Sequence, residues 1–206
     1  VNVHNAHLIR ARIMQGRAVT LLARWVQTGA PIFRRAALEH ARRMDRWTCW
    51  SWILWRKGDR RRAGIFDLSY GENSATLAFI YDCLRPTLAP AERAMLLGIA
   101  RRWSFAAFEA RQKTGANWWF GKPDSNWNTV CAGGLGLLAL ATLGDAAEAP
   151  AILRAVERSV RPYFRHLDSM DGGWPEGIGY WAYGMRYAFL YLLSWERTMD
   201  LSLIHI

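Results

Sequence analysis

The sequence contains few cysteines and no long run of apolar residues. Three cysteines occur among 206 residues, at Cys49, Cys83 and Cys131. An odd number of widely spaced cysteines argues against a disulfide framework, and their spacing gives no zinc site. No stretch reaches the roughly 18 apolar residues of a membrane span. We therefore expect no metal, no cofactor and no membrane span.

Acidic residues are also scarce. The chain has 17 Asp plus Glu against 27 Lys plus Arg, which gives a formal net charge of +10. A positive field favours an anionic partner such as nucleic acid, acidic lipid or an acidic polysaccharide, although a solvated basic surface gives the same count. The basic run Lys57–Arg62 is a weak indication of phosphate or heparin binding. The net charge alone does not decide among these partners.

Strand-like alternation of polar and apolar residues is missing as well. Apolar residues recur instead at helical spacing over residues 7–27, 91–112 and 149–165, and a further helix begins at Pro31. The sequence therefore predicts an all-α fold, with residues 1–206 in a single domain.

The most apolar helices recur along the chain. They open near Glu72, Asn126 and Glu176, about every 50 residues, and amphipathic helices alternate with them. Such a pattern is typical of stacked helical hairpins with the apolar helices in an inner layer. Polar loops precede these helices, at residues 67–72, 117–128 and 171–180. We expect the three loops to lie at one end of the inner layer and to face a single cleft.

Polar groups in the two later loops allow both structural and functional readings. Asp124 or Ser125 can cap the helix near Asn126, and Pro175 and Glu176 suit a first helical turn. Helix capping accounts for each of these residues taken alone. A binding site accounts for the presence of so many polar residues in the two loops.

The chain contains 12 Trp residues, which can pack against each other or stack on sugar rings. An early cluster consists of Trp47, Trp50, Trp52 and Trp55, and for it core packing is the main alternative to a sugar platform. The Trp candidates for substrate binding are Trp118, Trp119, Trp127 and Trp174.

Two segments resemble a known family. They are NWNTVCAGG at residues 126–134 and DGGWPEGIGYWAYG at residues 171–184, with DLSYGE at residues 67–72 as an earlier element. Together they resemble the heparinase II/III-like and oligo-alginate lyase families of polysaccharide lyases, over about residues 60–198. The resemblance implies an (α/α) toroid followed by β-sandwich domains. We therefore expect an incomplete toroid, a fragment that lacks the β-sandwich and is inactive by itself.

The resemblance implies β-elimination on a uronic-acid-containing polysaccharide such as alginate or a glycosaminoglycan. In the family a base removes the C5 proton, the C4–O bond breaks, and an Asn or His in the first segment stabilises charge on the uronate carboxylate. Asn126 and Asn128 match that position. Tyr180 and Tyr183 match the Tyr of the second segment, which acts as acid and often as base.

Further residues are assigned to substrate binding beside the Trp candidates. They are Glu72, Glu176 and Arg186. Arg186 follows Tyr183 by one helical turn, where a cation could promote ionisation of the phenol. The family commonly also uses a histidine, often from beyond the toroid, and no histidine here matches its motifs. The histidines are His4, His7, His40, His166 and His205.

The resemblance suggests a periplasmic or secreted location and an acidic polysaccharide, rather than nucleic acid, as partner. Two other functions stay open. A glycoside hydrolase would need two carboxylates about 5 to 9.5 Å apart across the cleft. The candidates for them are Asp67, Glu72, Asp171 and Glu176. A non-catalytic module would bind acidic glycans or nucleic acid through Arg and Trp side chains.

Overall fold

The computed structural model describes residues 6–52 and 66–199, which form helices and loops without a strand. The helices are α1 (Ala6–Thr28), α2 (Pro31–Asp45), α3 (Leu68–Leu84), α4 (Pro90–Ile99), α5 (Ala106–Lys113), α6 (Asn126–Ala141), α7 (Ala149–Ser169) and α8 (Ile178–Met199). A π-helical segment, Ala100–Phe105, joins α4 to α5, and a 3-10 turn, Arg85–Thr87, follows α3. The all-α prediction is confirmed for this part of the chain.

Some predicted features lie outside the described residues. These are the basic run Lys57–Arg62, Trp55, His4 and His205. Within the described ranges, no helix is both long enough and apolar enough to cross a membrane.

Two helices begin at other residues than the sequence pattern indicated. Helix α3 already begins at Leu68, because the Asp67 carboxylate accepts a hydrogen bond from the Ser69 backbone N–H at 3.0 Å and caps the helix. Helix α8 begins at Ile178, after Gly177 with a φ of 85°. The prediction that Glu176 belongs to the first turn of this helix is therefore wrong.

Helices α1, α3, α6 and α8 lie side by side and run in the same direction. Contacts in their N-terminal halves join Arg12 of α1 to Glu72 of α3, and Asn126 of α6 to Gly184 of α8. Helix α2 packs on α1 and α3, and α7 packs on α6. Every residue of α6 except Trp127 is buried, which agrees with its apolar sequence. The N-terminal ends of the four parallel helices therefore lie at one end of the molecule.

Helices α3 and α6 approach each other at two glycines. A Cβ added at Gly71 would lie 2.4 Å from the carbonyl oxygen of Val130, and one at Gly134 would lie 2.0 Å from the carbonyl oxygen of Gly71. A methyl group cannot occupy either position, so the two backbones touch. This contact holds the N-terminal halves of α3 and α6 together.

Two members of the early Trp cluster, Trp47 and Trp50, pack against other parts of the protein. Trp50 is fully buried and stacks on Trp103 with ring centroids 5.2 Å apart. The Arg10 guanidinium lies 3.7 Å from the Trp47 ring centroid. Packing therefore explains Trp47 and Trp50 without a sugar platform.

Replacing Gly134 by Ala should destabilise the protein, because the added methyl group would collide with the backbone of α3. Overpacking a core costs about 1 to 3 kcal/mol, and we expect a loss at or above the upper end since a backbone neighbour cannot rotate away. Gly16→Ala is the matched control, because a Cβ there meets nothing within 4 Å. Denaturant unfolding followed by circular dichroism compares the variants. Equal midpoints for Gly134→Ala and wild type would contradict the close approach.

Candidate functional site

A pocket opens between α1, α3 and α8, in the N-terminal half of these helices. Its volume is about 640 Å³. Its polar lining residues are Arg12, Gln15, Glu72, Tyr180, Tyr183, Arg186 and Tyr187. We call it the α1–α8 pocket. It combines two guanidinium groups with a carboxylate, an amide and three phenols, which suits a polar anionic ligand.

Glu72 is the most enclosed charged group of this pocket. Its side chain is 1% exposed, and Oε1 accepts hydrogen bonds from Arg12 Nε at 3.0 Å and from the Tyr183 hydroxyl. Among the described residues, Oε2 has no hydrogen-bond partner. Burial raises the pKa of Glu72, and Arg12 and Tyr183 oppose that rise by stabilising the carboxylate. The three side chains thus form one group, the Arg12–Glu72–Tyr183 triad.

Tyr183 is held as a neutral phenol. Burial and the Glu72 carboxylate raise the pKa of Tyr183 well above its ordinary value. The Arg12 guanidinium lies over the Tyr183 ring, 4.7 Å from its centroid, and does not reverse the shift. The expectation that Arg186 promotes ionisation of this phenol is therefore corrected: Glu72 is the dominant charged neighbour, and it favours the protonated form.

Gln15 connects the floor of the pocket to its rim. Its Nε2 donates to the carbonyl oxygen of Glu72 at 3.1 Å, and its Oε1 accepts from the Tyr187 hydroxyl and from Arg186 Nη2 at 3.3 Å each. Arg186 is otherwise exposed on the rim. Tyr180 is 58% exposed, and its hydroxyl makes no hydrogen bond to the described residues. Arg186 and Tyr180 are therefore open to a ligand.

Asn128 lies away from the pocket. Its Nδ2 donates to the carbonyl oxygens of Lys122 and Ser159 at 2.8 Å each, and its Oδ1 accepts from the Ser159 hydroxyl at 2.8 Å. The side chain is fully buried. These bonds tie α6 to α7 and to the preceding loop. Asn128 thus has a packing role here, in place of the predicted stabilisation of a substrate carboxylate.

Asn126 lies in the first turn of α6, beside α8. Its side chain is 1% exposed, and neither amide atom has a hydrogen-bond partner among the described residues. A Cβ at Gly184, one turn after Tyr180, would lie 3.1 Å from Asn126 Cβ. Asn126 and Tyr180 therefore share one end of the helices, but Asn126 does not line the α1–α8 pocket.

Glu176 places its carboxylate at the N-terminus of α6. Its Oε2 accepts from the Asn126 backbone N–H at 2.6 Å and from Trp174 Nε1 at 3.3 Å, and its Oε1 accepts from the Ser125 hydroxyl at 3.4 Å. A helix N-terminus stabilises a carboxylate in this position. Glu176 therefore holds the loop before α8 against the N-terminus of α6. Glu176 and its partners do not line the α1–α8 pocket.

The remaining Trp candidates differ in exposure. Trp119 is buried and donates its indole N–H to the carbonyl oxygen of Phe66 at 2.8 Å, which is a packing role. Trp118 is 49% exposed, and its ring centroid lies 5.0 Å from that of Trp127. Stacking of Trp118 or Trp127 on a ligand stays a prediction.

Arg12 and Gln15 were not predicted as site residues. Both lie on α1, far in sequence from the motifs of the later loops. The signal available in the sequence was weak: two polar residues three positions apart share one helix face. The packing of α1 against α3 brings them to Glu72, and no local pattern reports that contact.

Comparison with models of known protein families gave no match for this chain, and comparison with curated proteins gave none either. Within the described residues, no group of His, Cys, Asp and Glu could hold a metal ion. The geometry of the pocket and the motif resemblance are therefore the basis for a functional proposal.

Asn128→Ala should destabilise the protein by at least about 2 kcal/mol, because buried partners left without a hydrogen bond cost roughly 1 to 3 kcal/mol each. Asn126→Ala is the matched control on the same helix, since the side-chain amide of Asn126 makes no hydrogen bond to the described residues. Denaturant midpoints measure both variants. A larger loss of stability for Asn126→Ala than for Asn128→Ala would contradict the packing role of Asn128.

The raised pKa of Glu72 predicts a pH dependence of stability. The folded state keeps the Glu72 proton to higher pH than the unfolded chain does. The resulting stabilisation is complete below the unfolded pKa and is lost as pH rises through the folded pKa. Glu72→Gln removes this titration.

We therefore expect the free energy of unfolding of wild type, relative to Glu72→Gln, to fall from acidic to neutral pH. Denaturant titrations at a series of pH values measure it. If the free energy of unfolding of wild type, relative to Glu72→Gln, instead rose with pH, the pKa of Glu72 in the folded protein would lie below its ordinary value because of Arg12.

Proposed function

We propose that this chain belongs to a polysaccharide lyase that cleaves a uronic-acid-containing polysaccharide by β-elimination, with the α1–α8 pocket as the reaction site. The observation that carries the proposal is the pocket itself. It places the exposed phenol of Tyr180 and the Glu72-bound phenol of Tyr183 beside the guanidinium groups of Arg12 and Arg186. The motif resemblance supports the same reaction class.

We also propose that α1, α3, α6 and α8 are inner helices of an incomplete (α/α) toroid. Their common direction supports this arrangement, as does the packing of the amphipathic α2 and α7 against them. In a toroid, the N-terminal ends of the inner helices would border one cleft. In the family that the chain resembles, a β-sandwich follows the toroid, and a histidine often comes from beyond the toroid.

A uronate carboxylate fits the cationic rim of the pocket. The Arg186 side chain is exposed, and the Arg12 side chain is 50% exposed although it pairs with Glu72. A carboxylate held by these guanidinium groups would receive charge-assisted hydrogen bonds. Stabilising its charge makes the adjacent C5 proton easier to remove, because negative charge develops on the carboxylate in the transition state.

The two phenols suit the proton transfers of an elimination. Tyr180 and Tyr183 lie three residues apart on α8 and therefore share a helix face. When the C5–H bond breaks, its electron pair forms the C4–C5 double bond, and the C4–O bond breaks. We assign removal of the C5 proton to Tyr183. We assign protonation of the departing oxygen to the exposed Tyr180.

A glycoside hydrolase has less support. Its two carboxylates would face each other across the cleft, and among the described residues that line the pocket Glu72 is the one carboxylate. Asp67 caps α3, Glu176 binds the N-terminus of α6, and Asp171 is exposed in the loop before α8. A non-catalytic binder of acidic glycans would use the same rim without releasing a product.

Tyr180→Phe and Tyr183→Phe should each lower kcat by about 10² to 10⁴-fold, because each change keeps the ring and removes the hydroxyl that transfers a proton. The assay is the ultraviolet absorbance of the unsaturated product formed by the full-length protein from alginate, heparan sulfate or hyaluronan. Tyr191→Phe is the matched control on α8, since its buried hydroxyl has no partner among the described residues and lies outside the pocket. Near-normal turnover in both variants and in the double variant would contradict the assignment.

A further inference from the structure

The hydrogen bond between Tyr183 and Glu72 has a fixed direction. An ionised carboxylate only accepts, so the phenol donates its proton to Glu72 Oε1. Arg12 Nε donates to the same oxygen at 3.0 Å. The phenolic proton therefore already points at a second group that can accept it.

Tyr183 is poorly suited to act as a base without help. Burial and the Glu72 charge raise its pKa, so the phenolate is scarce at neutral pH. A neutral phenol can take a proton from a ligand only if its own proton leaves in the same step. The Glu72 carboxylate is the group positioned to receive that proton.

We propose that Glu72 is the final proton acceptor of the elimination and that it acts through Tyr183. This inference rests on the lyase function proposed above. The C5–H bond breaks as an O–H bond forms on Tyr183, while the original Tyr183 O–H bond breaks and an O–H bond forms on Glu72 Oε1. The C5–H electron pair becomes the C4–C5 double bond, and the C4–O electron pair leaves with the departing oxygen.

The departing oxygen takes its proton from Tyr180, so the negative charge moves from Glu72 to the Tyr180 phenolate. Tyr180 is 58% exposed and lines the pocket with Arg186, so water can reprotonate it after the product leaves. Glu72 then returns its proton to the Tyr183 oxygen while Tyr183 releases its own proton to water in the pocket, and the resting state returns. We call this transfer of a proton from C5 through Tyr183 to Glu72 the relay. It conserves protons and charge over one cycle.

The surroundings of Glu72 suit a group that changes charge. Arg12 keeps it ionised before the reaction, and burial makes it a stronger base than an exposed carboxylate. Its Oε2 is buried and without a hydrogen-bond partner in the described structure. This oxygen remains available as an acceptor once Oε1 carries the proton.

Glu72→Gln tests the relay in the full-length protein. The amide oxygen can still accept from Tyr183, but the amide cannot take up a proton. We expect kcat to fall by about 10² to 10⁴-fold with little change in KM. In the plot of kcat/KM against pH, the fall in rate on the acid side reports protonation of Glu72. This acid limb should disappear in Glu72→Gln.

Glu157→Gln is the matched control, since Glu157 lies on α7 in an ion pair with Arg161 and outside the pocket. It should keep both the rate and the acid limb. The double variant Glu72→Gln/Tyr183→Phe should lose no more activity than the single variants, because both residues act in one transfer.

The outcomes separate the relay from the lyase function. Near-normal kcat and an unchanged acid limb in Glu72→Gln would overturn the relay and leave the lyase function intact. Absence of any unsaturated product from the wild type would overturn both. If Glu72→Gln does not fold, Tyr183→Phe decides, because without the phenol the acid limb set by Glu72 must also vanish, and its persistence would overturn the relay.

The pKa of Tyr183 can be measured without substrate by ultraviolet titration. The signal of Tyr183 is the difference between the titrations of proteins with and without the Tyr183→Phe change. Its pKa should be lower in the Glu72→Gln background than in wild type, because the neighbouring negative charge is gone. An unchanged pKa would contradict the coupling on which the relay depends.

Discussion

The buried carboxylate of Glu72 is the interaction on which the rest of the site depends. Moving an ion out of water costs several kcal/mol unless partners compensate it. Arg12 of α1 and Tyr183 of α8 provide those partners for Glu72 of α3. A single charge therefore joins three helices at the pocket, and the same contacts set both the geometry and the protonation of the phenol. A structural and a chemical role coincide in one residue.

The backbone of α6 makes this arrangement possible. Gly134 permits contact with α3 on one side, and a Cβ at Gly133 would lie 2.9 Å from the carbonyl oxygen of Tyr187 on the other. Helices α3 and α8 therefore both approach α6 closely. The two glycines of the first motif thus have a packing reason, independent of any contact with substrate.

Local patterns were sufficient to predict which described segments are helical, though not where α3 and α8 begin, because helical spacing acts within a few residues. The apolar composition of α6 predicted its burial, and the motifs pointed to Tyr180, Tyr183 and Glu72, which share a pocket. Their functional assignment stays a proposal.

The sequence did not distinguish Asn126 from Asn128, since the bonds of Asn128 to Ser159 depend on how α7 packs. Arg12 was missed for the same reason, because its partner Glu72 is distant in the chain. The beginning of α8 depended on the positive φ of Gly177.

Elimination and hydrolysis leave products of different mass, which mass spectrometry of a digested uronate oligosaccharide of known length measures directly. Elimination divides the chain without adding water. If the α1–α8 pocket is the site of a lyase, the masses of the two products from the full-length protein will sum to the mass of the starting oligosaccharide. A sum that is larger by one water molecule would identify a hydrolase and contradict the proposed chemistry.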